Sequence, residues 1–261
     1  SGPAWRLDRR QQAAADGRID TLVLLGADPL ADFPDRTLAE RAIAGARTVI
    51  AVDAFLTESN RRADVLLAAA AFAEVDGTTT NIEGRVTTLQ QKVTPPGTAR
   101  ADWLLATELA ARLGHDFGYT SASQIWAEIE QVAPAHSGIT LAALHSADHA
   151  DGIVVGAGSV ARPAGAATDV PAPDAYSYRL VADRTLYDRG TWLEHSPSSA
   201  VLAAPARLRL HPTEVAKLGV AEGGTVRVTS NDRSFVVEAV ADAGVPEGVA
   251  AMAHTQGAVG P

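Results

Sequence analysis

Apolar positions recur with two different periods along this chain, and the change falls near residue 178. Residues 20–25 form a short continuous apolar run that stops at Gly26, which predicts a strand buried on both faces. Asp35 stands where it can cap a helix running to about Gly45, with Leu38, Ala42 and Ile43 on one face. A second apolar strand is predicted at 47–52. A short polar helix at about 57–62 then leads to a third strand at 64–67. Strands alternating with helices predict βαβ units and a parallel, doubly wound sheet. Two more helices follow at about 100–113, closed by Gly114, and at about 123–132. Ser121 and Gln124 are spaced for a capping box on the second of these.

From 133 to 175 the pattern dissolves into Ala, Gly, Pro, Asp and Ser, the composition of a linker. After Tyr178 the period becomes two. Strands are predicted at 207–210, 225–230, 234–240 and 249–253, with one short helix at about 212–218 stopped by Gly219. The expected organisation is an α/β domain over 1–132, a linker over 133–175 and a small β-barrel over 176–261. Trp5, Leu7 and Ala13 to Ala15 look like the end of a helix that begins upstream, and Ser1-Gly2-Pro3 like a cloning remnant.

Composition narrows the chemistry. The 261 residues suffice for one large or two medium domains, and 46% hydrophobic with 20% charged residues is ordinary for a globular protein. A net charge of -9 argues against affinity for nucleic acid or anionic lipid. No cysteine is present, which excludes disulfides, thiolate zinc sites and Cys-ligated iron–sulfur clusters within these residues. No apolar run is long enough to predict membrane insertion.

Catalytic signatures for phosphate loops, zinc proteases and serine hydrolases are missing. His145 and His149 are spaced for a metal face beside Asp148, but no helical apolar pattern supports them, and a solvated pair is the simpler reading. The turn Gly26-Ala27-Asp28-Pro29 sits at the carboxyl end of a parallel strand, where such sheets bind ligands. Its carboxylates at Asp28, Asp32 and Asp35 suit a helix dipole and repel a phosphate. In the stretch 74–85, Gly77 and Gly84 both follow acidic residues and are expected at positive φ in tight turns, flanking a strand at 78–82. Glu74, Asn81, Glu83 and Arg85 are placed to tie that connection together as a structural latch.

These residues resemble the molybdopterin oxidoreductase family. Thr57-Glu58-Ser59-Asn60 followed by Ala63 to Ala68 is similar to one of its signatures, and Glu74, Gly77-Thr78, Asn81 and Glu83-Gly84-Arg85 to another. Gly26 to Pro29 resembles its Gly-x-Asn-Pro loop, and Ala101-Asp102-Trp103 the start of a following helix. Asp183 to Asp188, His195-Ser196-Pro197, His211 to Glu214 and Gly223-Gly224 resemble its dinucleotide-binding β-barrel, of double-psi type.

The resemblance implies one of two roles. One branch of the family belongs to bacterial respiratory NADH:quinone oxidoreductase, complex I, where the fold persists without the pterin. There this segment is a non-catalytic scaffold within a proton-translocating enzyme that passes electrons from NADH to quinone. Iron–sulfur clusters lie in an upstream part of the same chain. The partners are that cluster-bearing part and other peripheral-arm subunits, at the cytoplasmic face of the cell membrane. In the alternative branch, the segment is half of a molybdopterin guanine dinucleotide site in an active enzyme such as a formate dehydrogenase or nitrate reductase. Asp28 in place of the usual Asn, Ala68 in place of Pro, and a barrel that ends soon after His254 favour the first branch. No catalytic, metal or cofactor residue is then expected here. Asp28, Glu58, Asn81, Arg85, Arg184 and His195 are candidates for a vestigial site. Trp5, Phe33, Phe55, Trp126 and Trp192 are candidates for docking contacts, although Trp126 also suits a core.

Overall fold

The computed structural model describes residues 4–155, 174, 176–221, 223–230 and 233–254, with backbone alone for 4–8 and 233. The chain divides into two compact units, 1–164 and 165–261. In the first, α1 (Ala4–Ala15) precedes β1 (Thr21–Leu25), and the one-turn α2 (Pro29–Asp32) precedes α3 (Arg36–Gly45). β2 (Thr48–Asp53) and β3 (Val65–Ala68) complete a parallel sheet of order β1-β2-β3. Asp35 caps α3 as its position predicts, its carboxylate accepting from the Leu38 amide at 2.9 Å.

Register decides the core. Leu24 pairs with Ala51, and both turn toward α3, where Leu30, Phe33, Ala39 and Ile43 close over them. α1 packs across α3 so closely that a Cβ at Gly45 would stand 2.4 Å from the Ala14 carbonyl oxygen. Only glycine permits that approach.

The opposite face of the sheet corrects the expectation of a strand buried on both sides. Val23, Ile50 and Val65 share one row there, and Val23, Leu25 and Val65 are 53%, 60% and 44% exposed. The core that α3 builds lies on the other face, and α1 packs against α3. Phe33 belongs to that core, so its assignment as a docking residue fails. Trp126 is core as well. Trp192 is exposed, Phe55 is half-buried, and the side chain of Trp5 lies outside the described residues.

A second sheet goes beyond the predicted elements. β4 (Gly77–Thr80) and β5 (Arg85–Leu89) form a hairpin, and the two-residue β6 (Ile153–Val154) pairs antiparallel to β5. α4 (Asp102–Arg112), α5 (Ala122–Val132) and α6 (Leu141–Leu144) lie between them in sequence. Much of the predicted linker is therefore folded. Ile139 and Leu144 join Val86 and Trp126 in a core, and the Trp126 indole donates to the Ile139 carbonyl at 2.8 Å. Residues 156–173 lie outside the described residues. The capping box on α5 forms by half: Ser121 Oγ accepts from the Gln124 amide at 3.4 Å, whereas the Gln124 side chain accepts from Thr120.

The second unit holds β7 (Arg179–Asp183), α7 (Thr191–Glu194), α8 (Pro197–Ala200), β8 (Arg207–Leu210), α9 (Pro212–Leu218), β9 (Thr225–Ser230), β10 (Arg233–Ala241) and β11 (Val249–Ala253). They form a mixed sheet of order β7-β11-β8-β10-β9, a curled half-barrel. Alternation works as the period-two pattern requires. Leu208 and Leu210 are buried with Val237, Ala250 and Met252, while Arg209 reaches Asp183 at 2.7 Å and Asp242 at 3.3 Å. Glu214 of α9 is 6% exposed and accepts from the Tyr178 hydroxyl at 2.8 Å and from Lys217 at 2.9 Å.

Candidate functional site

The carboxyl ends of β1, β2 and β3 gather the loops on which the sequence focuses. The Gly26 amide donates to the Val52 carbonyl at 2.8 Å, so the first loop leaves the sheet beside β2. Asp28 occupies the N-cap position of α2 without capping it. Its carboxylate instead accepts from the Ser59 hydroxyl, and Ser59 Oγ in turn accepts from the Leu30 amide at 3.0 Å. Asn60 holds the second loop closed, its Nδ2 donating to the Phe55 carbonyl at 2.7 Å. Ser59 and Asn60 are buried, and the buried Asn60 Oδ1 has no hydrogen-bond partner among the described residues.

The charged groups are arranged as internal pairs. The Arg36 guanidinium donates to the Leu30 carbonyl at 2.9 Å, to Glu58 at 2.6 Å and to Glu40 at 3.1 Å. Arg62 also reaches Glu58, at 3.1 Å. The hydrogen bond from Arg36 holds the Glu58 carboxyl below its ordinary range, and Glu58 in turn raises Arg36. Asp53 accepts from the Phe55 amide at 3.1 Å. At the start of α4, Asp102 is pushed up by partial burial and then by the Asp53 carboxylate.

This donor set does not fit the diphosphate of a dinucleotide. An anion entering beside Asp28 needs free donors or cations. The Leu30 amide and Ser59 hydroxyl are already engaged with each other and with Asp28, and Arg36 is spent on a carbonyl and two carboxylates.

Asp28 and Glu58 are thus brought into one loop cluster. Asn81 and Arg85 lie elsewhere, in the β4–β5 turn. Asn81 Oδ1 accepts from the Glu83 and Arg85 amides at 2.9 Å each, and Arg85 Nε donates to Glu83 at 3.1 Å. This is the expected latch, with Gly84 at φ +80°. Glu74 is not part of it; its carboxylate accepts from the Ala71 amide. Gly77 also departs from expectation. It opens β4 without positive φ, because the chain enters the strand there rather than turning. Arg184 and His195 belong to the second unit, both exposed, with His195 Nδ1 2.8 Å from the Thr191 carbonyl oxygen. His145 follows α6 while His149 lies in a separate 3-10 turn, so the two do not share a helix face.

Sequence patterns alone do not mark Arg36, Ser59 or Asp53 as site residues. Ser59 stands inside one of the family motifs, and its spacing after Thr57 and Glu58 is the signal that could have found it. Arg36 has none beyond its place after the Asp35 cap.

Residues 3–112 match the family model described as molybdopterin oxidoreductase, and 178–260 match the molydopterin dinucleotide binding domain. The NADPH-Fe(3+) oxidoreductase subunit alpha of Geobacter sulfurreducens is 31% identical over 216 residues, 82% of this chain and 24% of the relative. An NADH-quinone oxidoreductase subunit of Rhizobium meliloti (strain 1021) is 29% identical over 87% of this chain and 26% of its own length. The F420-dependent formate dehydrogenase subunit alpha of Methanocaldococcus jannaschii is 40% identical over 47% of this chain and 18% of its own. The chain therefore spans about a quarter or less of these relatives. Acetylene hydratase from Pelobacter acetylenicus shares the fold, with a TM-score of 0.68 at 18% identity over 94% of this chain and 39% of that one. Motif order, the fold of both units and both family matches agree: this chain belongs to the molybdopterin oxidoreductase family.

Proposed function

We propose that this chain is a non-catalytic scaffold segment of the NADH:quinone oxidoreductase subunit that carries this fold without a pterin. It supports electron transfer from NADH to quinone by holding the cluster-bearing part of the same subunit and neighbouring peripheral-arm subunits at the inner face of the membrane. The observation that carries this reading is the saturated loop cluster at the strand ends. There Asp28 and Glu58 consume the Ser59 hydroxyl and the Arg36 guanidinium that an anionic cofactor would need. The likeness to the Rhizobium meliloti protein supports the same branch. Among the described residues no helix is long and apolar enough to cross a membrane, in keeping with a peripheral position.

A second reading rests on the match of the second unit to the dinucleotide-binding domain and on the formate dehydrogenase relative. In it, the segment is half of a molybdopterin guanine dinucleotide site. Metal and pterin analysis of the purified full-length protein separates the two. The scaffold reading expects neither molybdenum, tungsten nor a guanine-pterin nucleotide at stoichiometric level, and finding one overturns it.

A further inference from the structure

Gly77 poses a question that the latch does not answer. Its backbone needs no glycine, and a Cβ built on it would meet no atom within 4 Å. The space it leaves open belongs to a cavity of about 680 Å³ between the β4–β5 hairpin and the first turns of α5. Thr78 and Leu89 of the hairpin form one wall, and Ile125 and Ile129 of α5 form the other. Trp103 and Trp126 also line it. The floor is firm, because Trp126 and Ile129 belong to the core around Val86.

We propose that this cavity binds a small planar aromatic molecule carrying a positive charge. Its volume lies within the range of about 300–1,000 Å³ typical of small-molecule sites. Two tryptophans in the wall supply the ring type that stacks on an aromatic or attracts a cation. Asp76 brings a carboxylate to the rim, with Oδ1 accepting from the Gln91 amide at 2.9 Å, and the described lining holds no Lys or Arg and one imidazole, His145. That charge balance repels phosphates and carboxylates and favours an ammonium group. The site is independent of the strand-end cluster and of the scaffold reading.

Tryptamine and indole-3-acetate test the proposal, since they share a ring and differ in the sign of their charge. Calorimetric titration of the chain with each should give saturable tryptamine binding, with indole-3-acetate about tenfold weaker or worse. Gly77→Val, which fills the opening, should abolish tryptamine binding while the melting temperature stays within a degree or two. Asp76→Asn, an exposed change that needs no repacking, should bring the two ligands to within about twofold of each other. No saturable binding by tryptamine, equal binding of both ligands by the unaltered chain, or undiminished binding by folded Gly77→Val each overturns the proposal.

Discussion

The hydroxyl of Ser59 donates to the carboxylate of Asp28, 31 positions earlier, and joins the loop after β1 to the loop after β2. The same oxygen accepts from the Leu30 amide, so one buried side chain serves two groups at once. The two loops of the candidate site thus behave as one structural unit.

Removing that oxygen tests the unit. Ser59→Ala leaves the buried Leu30 amide unpaired and removes a partner from the half-buried Asp28 carboxylate, and should cost about 1–3 kcal/mol. Urea denaturation gives the value. A variant as stable as the parent would mean that the bond contributes nothing.

Two glycines of one hairpin should respond in opposite ways to the same change. Gly84 sits at φ +80°, and its Cβ would come within 2.8 Å of Val155 Cγ2. Gly84→Val should therefore destabilise by about 1–3 kcal/mol. Gly77→Val should fall within about 0.5 kcal/mol of the parent, since valine suits an extended backbone and open space awaits it. Melting curves of the pair decide, and equal losses would contradict the backbone assignment.

Glu214 gives the second unit an acid-sensitive contact. The Lys217 ammonium, then the Tyr178 hydroxyl, hold its carboxyl below the ordinary glutamate value. A depressed folded value means the contribution is complete above the unfolded value, about 4.3, and is lost as pH falls through the folded one. Glu214→Gln should thus flatten the fall in stability below about pH 4.3. Denaturation midpoints of both proteins at mildly and strongly acidic pH provide the check, and parallel slopes would rule this contact out as a source of acid lability.

The exposed sheet face makes a prediction about assembly. Val23 and Leu25 form an apolar row with no cover among the described residues. If the scaffold reading holds, the rest of the full-length protein covers it. Val23→Asp with Leu25→Asp should leave the melting temperature of this chain nearly unchanged, yet block assembly of the full-length protein into its complex. Normal assembly of the double variant would remove this face from the docking surface.

Local chemistry made much of the molecule legible. The Asp35 cap, the helix it starts, the strand at 48–53 and the alternation of Arg207 to Leu210 depend on neighbours within four residues or on a period of two, and sequence spacing carries both. The family motifs named the loops of the candidate site. What spacing could not carry was which partner each face meets. Residues 22–25 are all apolar, but only the packing of α3 and the segment before it on one face determined that Leu24 is covered and Val23 is not. The two residues of β6 are too few to show a period, and they became a strand because Val86 and Arg85 offered an edge nearly seventy positions away. Gly77 follows an acidic residue just as Gly84 does, but its φ was set by pairing with Leu89. In each case the deciding energy came from burial and hydrogen bonding between distant segments, and that exists only once the chain has folded.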